Sequence, residues 1–188
     1  MVNLNGIVSI DKVVEIFNMQ NEEKIDLPDI EKGIKDYDLE GAFIDIHKDY
    51  FLQELVTFKN SFAALKKKKE GKPYYIPQKE QLLKYEDELY FEKTQEYNKL
   101  KAFIKREFTD GDDYYAEGIC EDIYDRCTMD FNINDALNEL QRRDIAFKSQ
   151  AQAQKVLGLI IDLSNNVRIW ENNGHTPIEI FQLMESQI

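Results

Sequence analysis

Residues Asp162 to Pro177 read DLSNNVRIWENNGHTP, and the reading of this stretch decides how the second half of the chain folds. Upstream, Ser149 and Gln152 stand at capping-box spacing, where a hydroxyl and an amide can satisfy the first free N–H groups of a helix. Val156, Leu159, Ile160, Leu163, Val167 and Trp170 then recur every three or four residues, which predicts an amphipathic helix from Ser149 to Trp170. Leu157, Ile161 and Ile169 lie off that stripe, so this helix is expected to have neighbours on several sides and to be central to its domain.

Into it the sequence inserts Asp162, Asn165, Asn166 and Arg168. Asn inside a helix costs roughly half a kcal/mol relative to Ala, so tertiary contacts have to offset these residues. The nearest partner is the turn that follows. Asn172-Asn173-Gly174 supplies residues that tolerate positive φ, and Thr176-Pro177-Ile178-Glu179 restarts a helix with a cap, a proline at its first position and a carboxylate three residues on. The expectation is that Asn165, Asn166 or Arg168 hydrogen-bonds carbonyls of this turn and locks the last helix, Pro177 to Met184, against the central one.

NNVRIWENNGHTP resembles the NN-x-R-x-W-x-x-x-GHTP-x-E stretch of a family of bacterial helical proteins, many of which carry a C-terminal SEC-C metal-binding motif. The likeness covers Asn165, Asn166, Arg168, Trp170, Gly174, His175, Thr176, Pro177 and Glu179, and extends more loosely to Gly71–Tyr85 and Gly6–Phe17. The Cys-rich zinc segment is absent from these 188 residues, so no metal is expected here. The resemblance implies architecture more than activity.

Acidic residues number 36 against 24 basic, a formal charge of -12. That balance disfavours nonspecific binding to nucleic acid or anionic membrane, and suits a basic or neutral protein partner. Cys120 and Cys127 stand seven residues apart in one predicted helix, roughly 10 Å at 1.5 Å per residue, which is beyond disulfide reach. Free thiols, no signal-peptide pattern after Met1 and no bilayer-length apolar run together predict a cytoplasmic protein.

Further upstream, helices are predicted from Ser9 or Ile10 to Met19 and from Pro28 to about Tyr37. Ala42 to Ile46 and Tyr50 to Leu52 flank His47-Lys48-Asp49 as a hairpin. Two helices and a hairpin resemble part of a winged helix, whose remaining helix would have to lie upstream of Met1 or be replaced. A helix from about Asn60 ends in Lys66 to Lys69, and Gly71 to Pro77 reads as a linker. Helices then follow at about 78–91, 94–108, 113–127, 134–142, 149–170 and 177–184. The expected fold is mainly α, with a winged-helix-like α/β domain over 1–70, a linker over 71–77 and a helical domain over 78–188.

No catalytic constellation emerges. Lys66 to Lys69 with Lys72 reads as a solvated helix end, and Asp110-Gly111-Asp112-Asp113 as helix capping, since its glycine and closing acid do not fit a calcium loop. His175 reads as a turn anchor, Trp170 as core, and Tyr74 with Tyr75 as either a docking patch or a staple. Met1 to Asn60 holds thirteen acidic and six basic residues, a poor match to phosphates. These readings favour a noncatalytic interaction or adaptor protein without cofactor. Two alternatives are a nucleic-acid-linked regulator acting through the first domain and an acidic DNA-mimic inhibitor of the phage-encoded kind.

Overall fold

Five of the helices begin at a Ser, Thr or Asn side chain that accepts from their first turn. In the computed structural model, which describes residues 1–36, 43–128 and 131–186, Ser9, Thr94, Asn132, Ser149 and Thr176 all do so. The described residues are mainly helical, with one small antiparallel sheet near the N-terminus. None of their helices is long and apolar enough to cross a membrane. The chain divides into two compact units. Unit 1 is Met1–Phe91 with Trp170–Gly174, and unit 2 is Glu92–Ile169 with His175–Ile188.

Unit 1 runs α1 (Val2–Asn5), β1 (Ile7–Ser9), α2 (Ile10–Gln20), α3 (Leu27–Asp36), β2 (Ile44–His47), β3 (Tyr50–Gln53), α4 (Glu54–Phe58), α5 (Phe62–Lys69) and α6 (Lys79–Lys84). The sheet order is β1-β3-β2, with Ile7 opposite Leu52 and His47 opposite Tyr50. Helix, strand, two helices and two strands thus open the chain in that order, a small α/β region ahead of the helices that follow. Neither the single turn α1 nor the strand β1 was foreseen. Both are too short to show a period. Tyr37 and Ala42, at the ends of a predicted helix and strand, lie outside the described residues. Ile7, Leu52, Val56 and Leu65 form one apolar core cluster, against which Tyr50, Phe62 and Trp170 pack, and Val2, Leu4, Val8 and Ile16 are buried as well.

The helix predicted over 78–91 stops at Lys84. Tyr85 donates to the Leu82 carbonyl, tightening the last turn, and the Asp87 carboxylate accepts from the Leu89 N–H. Such local side-chain bonds compete with helix. The expected linker over 71–77 lies inside unit 1, where the Tyr75 N–H donates to the Asn173 carbonyl at 2.9 Å.

Unit 2 holds α7 (Gln95–Phe108), α8 (Asp113–Thr128), α9 (Ile133–Arg142), α10 (Gln150–Asn165) and α11 (Pro177–Glu185). α10 touches each of the other four helices, as expected of a central element. Val156, Leu159, Ile160, Leu163 and Val167 are buried along its stripe, while Ile161 is exposed. The predicted continuation to Trp170 is corrected. Asn166 closes the helix, its backbone N–H donating to the Leu163 carbonyl and its side chain donating back to the Asp162 carbonyl at 2.8 Å. Two successive Asn residues hold little helix propensity against that local alternative.

Candidate functional site

The signature divides between the units, and each half is built from its own neighbours. In unit 1, Trp170–Asn172 forms a 3-10 turn and Asn173 and Gly174 follow at φ 52 and 81. Left-handed backbone of this kind favours Asn and Gly. A Cβ on Gly174 would stand 3.0 Å from Leu4 Cγ, and one on Gly6 2.5 Å from the Trp170 ring. The half-buried Trp170 therefore covers Gly6 directly, and its Nε1 donates to the Asn3 carbonyl at 2.9 Å.

Around that turn lies a buried polar clasp. Lys69, 6% exposed, donates to the carbonyls of Asn5 at 2.5 Å and Ile7 at 2.9 Å. Its ammonium also sits 5.5 Å from the centre of the Tyr74 ring. Burial, and then the neighbouring charge of Lys72, bring the Lys69 amine down to about 7. Asn173 donates to the carbonyls of Lys69 at 3.3 Å and Lys72 at 2.7 Å. Lys72 reaches the Glu171 carbonyl and Asn172 Oδ1, and Lys68 pairs with the Glu171 carboxylate. The lysine run expected to be a solvated helix end is thus divided. Lys66, Lys67 and Lys68 are exposed, Lys66 over the Tyr50 ring at 4.5 Å, while Lys69 and Lys72 turn into the fold.

Tyr74 and Tyr75 are both half-buried. Tyr74 lies beside Lys12 and Lys69, and burial raises its phenol above the ordinary range.

In unit 2 the signature closes on the start of α11. Arg168 donates to the Glu92 carboxylate at 2.9 Å and to Glu179 Oε2 at 3.0 Å. The same oxygen accepts from the Thr176 N–H at 3.1 Å and lies 3.2 Å from His175 Nδ1. Thr176 Oγ1 accepts from the Glu179 N–H, which completes the capping box with Pro177 at the first position. Burial works to raise the Glu179 carboxyl, but the Thr176 N–H, Arg168 and His175 outweigh it and hold the group below its usual range.

The expected lock is therefore corrected in detail. Arg168 grips the carboxylates of Glu92 and Glu179, Asn166 bonds back into its own helix, and Asp162 and Asn165 are exposed. A guanidinium presents its donors as a planar fork suited to carboxylates, so two carboxylates within reach take it.

The remaining candidates resolve simply. Asp112 Oδ1 accepts from the Tyr115 N–H and caps α8. Cys120 and Cys127 are buried free thiols, and burial pushes both up to about 12, far from the thiolate needed for nucleophilic work. Among the described residues no group of three or more His, Cys, Asp or Glu is placed to hold a metal ion. Lys69, Lys72, Asn5 and Glu92 were missed from sequence. The cue that existed was a lysine run ending at Gly71, which reads identically in a solvated helix end.

In comparisons with known proteins, no family model matches the chain, and no curated protein or solved structure does.

Proposed function

We propose that the protein is a noncatalytic interaction module that docks a basic protein through its last helix. The observation that carries this reading is the apolar surface of α11. Ile178, Phe181, Leu183 and Met184 are 42%, 60%, 36% and 59% exposed, and Ile180 is the helix's one buried residue. Ile178, Phe181 and Met184 recur every three residues on one side of the helix, and an exposed apolar face of this kind marks an interaction site more often than a solvated one. Meanwhile the capping box, Arg168 and His175 fix the start of that helix, so its surface is presented on a rigid support. Preorganisation lowers the ordering cost of binding.

The charge of the chain argues for the partner. Seventeen acidic and eleven basic residues fall in unit 2, and nineteen and thirteen in unit 1. Neither unit carries the basic surplus that phosphates require, and both attract a basic protein.

The test is an affinity capture from cell extract with salt-graded elution, using the wild type and a Phe181→Asp/Met184→Asp variant. A basic protein held by the wild type, released by salt and lost with the variant supports docking. Equal retention by the variant removes α11 from the interaction. The likeness of the element order in unit 1 to a winged helix favours a second reading, nucleic-acid-linked regulation. Recovery of nucleic acid by both proteins, weakening steeply with salt, would select it.

A further inference from the structure

Helix α3 leaves no side chain fully buried among the described residues. Its apolar residues Leu27, Ile30 and Ile34 fall on one face at three- and four-residue spacing. Leu27 is 44% exposed, and the two isoleucines are half-buried. α2 packs beside it, yet Phe17 and Met19 on α2 are themselves 37% and 64% exposed. A helix pair with apolar side chains left over on both members has room for a further layer.

The charges of α3 indicate what that layer is. Asp29 and Glu31 precede Lys32 and Lys35, with Asp36 at the end. Three acids against two bases give phosphates nothing to bind, and the presence of both signs does not select a uniformly basic protein. The order instead complements itself. Two copies of α3 running antiparallel about a two-fold beside residues 32 and 33 bring Ile30 to Ile34 of the second copy. On the adjoining flank Glu31 reaches Lys35 of the second copy, and symmetry makes each contact twice. Gly33 lies at that crossing, and the position of an added Cβ there meets nothing within 4 Å. Two backbones can approach closely at such a point.

We propose that α3 is the seam of a symmetric homodimer, paired antiparallel with α3 of a second copy. This seam is independent of the docking surface assigned to α11.

The experiment is sedimentation equilibrium of the full chain from micromolar to millimolar concentration. The wild type should rise from its monomer mass of 22.2 kDa to twice that value. Glu31→Lys or Lys35→Glu alone turns two attractive contacts repulsive and should weaken association by about tenfold or more. The double exchange Glu31→Lys/Lys35→Glu recreates the pairs in reverse and should recover affinity to within about threefold. Gly33→Arg should abolish the dimer while far-UV circular dichroism stays that of the wild type, because the monomer has open space for the side chain. A wild type that stays at monomer mass overturns the proposal. So does a double exchange as weak as the single ones, or a dimer that survives Gly33→Arg. The Phe181→Asp/Met184→Asp variant must still dimerise, and loss of the dimer in that variant would place the seam on α11 instead.

Discussion

Unit 2 and unit 1 bury different chemistry. In unit 2 the interior of α7, α8, α9 and α10 is Leu100, Ile104, Ile119, Ile123, Leu140, Ile160 and Leu163, with Tyr97 the largest buried ring. Unit 1 has the apolar cluster of Ile7, Leu52, Val56 and Leu65 and beside it buries the Lys69 ammonium and the amides of Asn5, Asn172 and Asn173, whereas the buried polar side chains of unit 2 are the hydroxyls of Thr109, Ser164 and Thr176 and the carboxylate of Glu139. Apolar burial is non-directional and tolerates small displacements, whereas a buried ammonium and amides require each partner in place. Unit 2 should therefore respond to changes in volume, and unit 1 to changes in geometry and protonation.

The largest effects test that division with two internal probes. Trp170 is the only tryptophan and lies in unit 1, while both cysteines lie buried in α8 of unit 2. Ile160→Ala should cost about 3–4 kcal/mol and speed the reaction of Cys120 and Cys127 with a thiol reagent. Gly6→Ala forces a methyl into the Trp170 ring at a positive φ, and should cost about 3 kcal/mol, seen first as a change in tryptophan fluorescence. Should Ile160→Ala disturb the fluorescence as early as the thiols, the contrast between the units would fail.

Next is the titration of Lys69. Its amine is lowered in the folded state to about 7 from 10.5, so between those values the unfolded chain binds the additional proton. Stability must then rise with pH across that window, by roughly 3 kcal/mol between pH 7 and 10. Below pH 7 both states are protonated and the dependence on this group disappears. Lys69→Met should flatten the rise in a denaturant series read by Trp170 fluorescence. An unchanged slope in Lys69→Met would mean that the clasp does not titrate there.

Asn173 sharpens the same comparison at smaller cost. Asn173→Ala loses two donated hydrogen bonds and keeps a left-handed backbone unfavourable to alanine, so unit 1 should lose about 2 kcal/mol. Asn173→Gly relieves the backbone and leaves only the lost bonds, so it should recover about half. Equal losses in the two variants would assign the whole effect to hydrogen bonding.

The same difference governs what could be read from the sequence. The helices of unit 2 were legible because periodicity and caps lie within each segment: the predicted 94–108 and 113–127 differ from α7 and α8 by one residue at one end. Ser149 and Thr176 were legible as caps for the same reason. The clasp was not, because Lys69 meets Asn5 across 64 positions and Asn173 across 104. Nothing local distinguishes a lysine that ends a helix in water from one that ends it against buried carbonyls. The split of the signature was hidden likewise. Val167 and Trp170 continue the spacing of α10, yet the backbone leaves the helix at Asn166 and carries Trp170 into unit 1.

The smallest effects belong to the start of α11, where the interactions are local and partly solvated. Thr176→Ala removes a buried cap hydroxyl and should cost about 1 kcal/mol, measured as faster hydrogen exchange in the first turn of Pro177–Glu185. Glu179→Gln is gentler, since glutamine can still complete a capping box but gives Arg168 and His175 no charge. Because the folded Glu179 carboxyl is held below its ordinary range, its contribution is complete above that range and is lost as the pH falls through the lowered value. Glu179→Gln should therefore exchange faster than the wild type near neutral pH and converge with it in acid. A wild type whose α11 exchange shows no such acid limb would mean that the Arg168 and His175 contacts add nothing beyond the capping box, leaving the support for the docking surface to backbone hydrogen bonds alone.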